Sequence, residues 1–234
     1  MEITLSKKPK NPIIIEGFPG FGLVGTIATE FLIEHLKTEQ IGKIILDDMP
    51  AIVAIHDSKV VEPLGVFYNK DYNIIILHAI SSAQGHEWHI AKALTNLAKQ
   101  LNAKEVVCLE GVGSPQGSTG RTFYYTNNPQ KEKRLSSITS PLKEGIIMGV
   151  TGAVILRVEG VPISCIFTET QSDMPDSKAA SKIIEVLDKY LDLKVDPKPL
   201  LKQAEKFEQK IRGILTKSRE AEELSEKKKL SYVG

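Results

Sequence analysis

The run Ile74-Ile75-Ile76-Leu77 constrains this chain more than any other feature. A strand with one wet face alternates apolar and polar side chains, so a short continuous apolar run implies burial on both faces. A sheet with helices packed on each side supplies that environment. Ile13–Glu16 and Glu105–Leu109 read the same way, and Ile163–Thr168 is a further expected strand. Helical patterns alternate with them. One starts near Gly22 and ends about Lys37, with Leu23, Ile27, Phe31 and Leu32 on one face. A second spans Gly85 to Leu101, where Trp88, Ala91, Leu94, Leu97, Ala98 and Leu101 recur at three and four residues. A third runs from a cap at Asp176 to about Leu191. Gly145–Leu156 predicts a short, tightly packed helix. Strands and helices in this order predict a layered α/β domain.

Further strands are expected at Ile41–Leu46 and Arg121–Thr126. Ala51–Ile55 and Val60–Phe67, linked by His56-Asp57-Ser58-Lys59, predict a hairpin and therefore a mixed sheet. The stretch 127–141 is polar and charged and shows no clear period. After Val195, Pro197 and Pro199 interrupt the chain and its composition becomes charged. The expected organisation is a core domain over 1–195 and a C-terminal arm over 196–234. In the arm, Leu200, Ala204, Phe207, Ile211 and Ile214 form a coiled-coil-like stripe.

Composition excludes several functions. Lys plus Arg number 30 against 29 Asp plus Glu, a formal net charge of +1, which lacks the basic excess of a nucleic-acid binder. Cys108 and Cys165 sit in apolar runs and read as buried thiols in a reducing compartment. The start, MEITLSKKPK, has no signal-peptide apolar region, and no run reaches the roughly 18 residues of a membrane span. A cytoplasmic location is expected.

Four segments carry candidate chemistry. The first is EGFPGFGLVG, Glu16 to Gly25, where Gly20-x-Gly22-x-x-Gly25 matches the dinucleotide-binding pattern and Asp47 follows the second predicted core strand. Phe18, Pro19 and Phe21 are bulky for a phosphate cradle, so a tight strand-to-helix crossover is the stronger expectation. The second is HAISSAQGHEWHIA, His78 to Ala91. His86 and His89 flank Glu87 one residue short of the zinc-protease spacing. Ser81 or Ser82 with His78 or His86 would make a nucleophile and base, though no nucleophile elbow surrounds them. No metal is expected. The third is GVGSPQGSTGR, Gly111 to Arg121, a loop after a central strand whose Arg121 suits an anion. The fourth is the tail, whose aromatic, aliphatic and free carboxylate suit a partner's pocket.

The segments EGFPGFGLVG, LDDMPAIVAIHD, ILHAISSAQGHEWHIA, KEVVCLEGVGSP and CIFTETQSDMPDSKAASKIIEVLDKYLDL together resemble the proteasome assembly chaperone 2 family, archaeal members above all. The resemblance spans nearly all of residues 10–215. It implies a three-layer α/β/α domain with a mixed, largely parallel sheet, similar to phosphorylase and hydrolase folds, plus a C-terminal amphipathic helix and tail. It implies a homo-oligomer, a tetramer or pentamer, with no catalysis and no cofactor. It also implies ATP-independent binding to core proteasome α subunits, as assembly chaperone or activator, through a tail ending hydrophobic–tyrosine–any. Here the end is Leu230-Ser231-Tyr232-Val233-Gly234, so the tyrosine is third from last and serine precedes it. Leu230, Tyr232, Val233 and Gly234 are the candidate docking residues, with Lys227, Lys228 and Lys229 adding charge. Phe18, Phe21 and Trp88 are candidate oligomer contacts. The rival expectation is a nucleoside-phosphorylase- or hydrolase-like enzyme with a pocket at the glycine-rich loops.

Overall fold

The computed structural model describes residues 1–47, 53–56, 58–80, 84–113, 120–170 and 174–202, with 206, 209, 213 and 216. β1 (Glu2–Leu5) and β2 (Ile13–Gly17) open the chain, and a 3₁₀ turn over Phe21–Leu23 leads into α1 (Val24–His35). β3 (Glu39–Ile45), β4 (Ala54–His56), β5 (Lys59–Val61), β6 (Leu64–Asn69) and β7 (Ile74–Ala79) precede α2 (Glu87–Leu101). Then come β8 (Glu105–Gly113), β9 (Thr122–Thr126), α3 (Pro129–Leu135), β10 (Ser140–Pro141) and α4 (Gly149–Arg157). β11 (Ile163–Thr170), α5 (Ser177–Leu191) and α6 (Lys198–Lys202) complete the described elements.

Among the described residues, nine strands form one mixed sheet in the order β1-β3-β6-β7-β2-β8-β11-β9-β10. Its centre, β7-β2-β8-β11, is parallel. β6, β3 and β1 extend one side antiparallel, and β9 joins the other antiparallel to β11. β4 and β5 make a separate hairpin.

The isoleucine run does what its pattern predicts. Ile14 registers with Ile75 and Val106, and Ile15 with Ile76 and Val107. Ile14, Ile75, Leu77, Val106 and Cys108 enter one core with α2 and α4. Ile15, Ile74, Ile76, Val107 and Leu109 enter the other with α1 and α5. Helices thus cover both faces of the central strands, giving three layers. Two buried cores of this kind supply the main stabilisation, at roughly 25 cal/mol per Å² of apolar surface removed from water.

Three differences have local causes. The expected strand over Val60–Phe67 divides into β5 and β6, with Glu62 and Pro63 between them; proline has no N–H for a ladder. The unpatterned stretch 127–141 contains α3, where the Asn128 side chain accepts the Gln130 and Lys131 N–H groups and Pro129 takes the first helical position. Gly111, Val112 and Gly113 continue β8 and are not loop.

Asp176 caps α5 as its sequence position predicts: Oδ1 accepts the Ala179 N–H at 2.9 Å and Oδ2 accepts the Thr170 hydroxyl at 2.9 Å. Its own N–H donates to the Gly22 carbonyl. The carboxylate therefore joins α5 to the end of β11, and the backbone N–H of the same residue holds the glycine loop. Asp176→Ala is expected to cost about 2 kcal/mol, the upper range for a helix cap. A thermal melt should show a loss of about 4–8 °C; no shift would mean the cap contributes nothing.

Candidate functional site

The first glycine segment is a packing device. A Cβ on Gly17 would lie 2.2 Å from the Gly25 carbonyl oxygen, and one on Gly25 would lie 2.3 Å from the Leu109 carbonyl oxygen. α1 therefore leaves β2 in backbone contact with both β2 and β8. Gly22 adopts φ 62°, a conformation glycine takes without strain. The dinucleotide reading fails on topology as well. β3, which Asp47 follows, lies three places from β2, with β6 and β7 between.

The place a phosphate would take is filled by the chain itself. A Cβ on Gly20 would lie 2.1 Å from Glu110 Oε1. Glu110 accepts the Gly111 N–H at 3.1 Å and the Phe21 N–H. An internal carboxyl group thus satisfies the donors that a glycine loop would offer to an anion.

Glu110 does not stand alone. Thr151 Oγ1, on α4, lies 3.2 Å from Glu110 Oε2 and 3.4 Å from Glu16 Oε1. Glu16 is fully buried, and its Oε2 has no hydrogen-bond partner among the described residues. The hydroxyl has one proton and can serve one carboxyl at a time; the other meets it favourably only by donating a proton of its own. Burial pushes Glu16 up to about 7, against smaller opposing contributions from Cys108, Thr151 and the Phe18 N–H. Burial, then the Glu16 charge, push Glu110 up to about 8. Cys108 lies against Glu16 and pairs in register with Cys165; both are free buried thiols.

Glu110, and not Glu16, is among the residues lining a cavity of about 520 Å³ at the ends of β2 and β8. Phe18, Phe21, Ile147, Met148 and Met174 line it with Glu110, and Thr216 of the C-terminal segment touches it too. No Lys, Arg or His is among its described lining residues.

The other expected residues are dispersed. His78 is buried, with Nδ1 2.9 Å from Thr29 Oγ1 and Nε2 3.0 Å from Glu30 Oε2, so it ties β7 to α1. Ser81 and Ser82 lie outside the described residues. His86 and His89 sit at the start of α2, and no cluster of three metal-ligating side chains occurs among the described residues. Arg121 meets Glu169 in a two-pronged contact at 3.1 and 2.6 Å, which neutralises it as an anion site. Phe18 is 2% exposed and packs in the core, so it offers no face to a second copy; as an expected contact it is corrected by its burial. Phe21 and Trp88, 39% and 50% exposed, remain at the surface. The tail residues Leu230, Tyr232, Val233 and Gly234 lie outside the described residues, as do Lys227, Lys228 and Lys229.

The sequence profile of the PAC2 family matches residues 14–215. The chain belongs to the PAC2 family. Among solved structures, this PAC2 protein resembles Pyrococcus furiosus PbaA, described as an archaeal homolog of proteasome-assembly chaperone. The TM-score is 0.82 at 32% identity, covering 94% of this chain and 99% of that one. Pyrococcus furiosus PbaB, described as an archaeal proteasome activator, shares the fold at TM-score 0.74 and 22% identity, covering 91% and 98%. An uncharacterized protein of Methanocaldococcus jannaschii is 28% identical over 210 residues, 88% of this chain and 86% of its own length. No helix among the described residues is long and apolar enough to cross a membrane.

Within this PAC2 fold, sequence reasoning missed Glu16, Glu110 and Thr151 as a group. A signal existed: two buried-strand runs each end in Glu-Gly, IIIEG and CLEG. A carboxylate closing an apolar strand is costly unless something meets it.

Proposed function

We propose that this PAC2 protein is a non-enzymatic, ATP-independent partner-binding protein, an assembly chaperone or activator that engages core proteasome α subunits through its C-terminal arm. The observation that carries this reading is the similarity to PbaA over 99% of that chain. The folded body serves as a platform that self-associates into a tetramer or pentamer. Phe21 and Trp88 are its candidate contacts; the Arg157 guanidinium stands 5.6 Å over the Trp88 ring, and Leu156 beside it is exposed. Leu230, Tyr232, Val233 and the Gly234 carboxylate dock, despite the serine before the tyrosine. Several arms on one oligomer raise weak single-tail binding through effective concentration.

Deleting residues 224–234 should abolish co-purification with core proteasome α subunits while leaving the melting temperature within about 2 °C. Unchanged recovery by the truncated chain overturns the arm as the docking element. The dispersed catalytic candidates and the internally filled glycine loop weigh against the phosphorylase- or hydrolase-like rival.

A further inference from the structure

We propose that the cavity beneath the glycine loop is a binding site for a small organic cation, a primary ammonium carried on an apolar or aromatic body. This goes beyond partner docking and does not depend on it.

The polar inventory of the site is lopsided. Glu16 and Glu110 bring four carboxyl oxygens to one hydroxyl, Thr151, with the Cys108 thiol and the Phe18 N–H as further donors to Glu16. The donors aimed at Glu110 from the backbone are the Gly111 and Phe21 N–H groups. Glu16 Oε2 meets none. No basic side chain among the described lining residues balances the pair. The titratable groups packed around it among the described residues are Cys108 and Cys165, both free buried thiols, while the carboxylate of Glu169 on β11 is engaged by Arg121. An ammonium has three donors and no acceptor, so it complements such a floor. A phosphate or carboxylate would bring more acceptors and, wherever Glu16 or Glu110 is ionised, a like charge.

The walls select the rest of the molecule. Phe21, Met148 and Met174 present an aromatic face and thioethers, which favour an apolar body and attract a cation over a ring. A volume of about 520 Å³ falls within the range of small-molecule sites. Met148 and Met174 are 61% and 51% exposed, so the apolar rim is open to solvent. On binding, the ammonium pairs with the Glu110 carboxyl. The Glu110 O–H bond breaks, the carboxylate keeps the electron pair, and the proton leaves to bulk buffer. No other bond changes.

Calorimetric titration of the full chain at pH 7 tests this with three probes of one shape: 2-phenylethylamine, 2-phenylethanol and 3-phenylpropionate. Repeating each titration in buffers of different ionisation enthalpy counts the protons released. The amine should bind with release of up to one proton, and the alcohol at least about tenfold more weakly, since a hydrogen bond to a charged group is the larger. The acid should show no heat of binding. Glu110→Gln should weaken the amine at least about tenfold. Where that variant does not fold, Phe21→Ala, on the open rim, should weaken it several-fold. Equal affinity for the three probes, no binding of the amine, binding without proton release, or affinity unchanged in Phe21→Ala overturns the proposal.

Discussion

The folded chain is expected to lose on the order of several kcal/mol of stability between about pH 5 and pH 8, because Glu16 and Glu110 are raised from 4.5 to about 7 and about 8. The sign follows from proton counting. In the unfolded chain both groups ionise near 4.5, whereas in the folded chain both hold their protons further up the scale. Between those values the native state binds more protons than the unfolded state, so each step up in pH favours unfolding. Their contribution is fully present below about pH 4.5 and is lost once pH passes about 8. Other groups titrate in this window, so the informative quantity is a difference. Urea unfolding of the unaltered chain and of Glu110→Gln, at half-unit pH steps, isolates the larger share. Glutamine is neutral at every pH, and the variant's stability should fall less steeply toward pH 8. Parallel curves would mean Glu110 ionises as freely in the fold as outside it, and that the shared hydroxyl of Thr151 places no demand on the pair.

Legibility in the sequence followed the physics of each segment. The central strands were readable because burial on both faces leaves an unbroken apolar run, and Ile74–Leu77 could be little else. α2 and α5 were readable because one face is wet, and α5 announced its start with Asp176. α3 went unread although Asn128-Pro129 is a start signal; its seven residues bury only Leu135, too little to set a period. The strand order was not readable at all. That β3 lies three places from β2 depends on long-range pairing, and it helps separate this fold from the dinucleotide-binding one the glycines mimic. The carboxyl pair failed for a related reason. Glu16 and Glu110 are far apart in sequence and meet because β2 and β8 are neighbours, with α4 delivering Thr151 from a third place. Each glutamate alone looks like an ordinary strand end.

Gly25→Ala is expected to cost roughly 3 kcal/mol or more, at or beyond the upper range for an overpacked site. The added Cβ would stand 2.3 Å from the Leu109 carbonyl oxygen and 3.0 Å from Gly17 Cα. Both obstacles are backbone atoms of central strands, held by ladders on either side, so neither can rotate away as a side chain would. Relief requires α1 to lift from the sheet, which opens the contacts of Ile27, Ala28, Phe31 and Leu32 with the core they share with α5. The midpoint of thermal unfolding should drop by about 6–12 °C. Gly113→Ala is the control: a Cβ there meets nothing within 4 Å, and its change should stay within about 0.5 kcal/mol. The comparison separates the two meanings of a glycine-rich loop. Glycines kept for a bound phosphate would leave the empty protein almost indifferent to a methyl group and show their need only with ligand present. Glycines kept for a close backbone crossing make the empty protein itself unstable. A Gly25→Ala chain as stable as Gly113→Ala would reopen the nucleotide reading, because the crossing of α1 over β2 and β8 would then be looser than these distances allow.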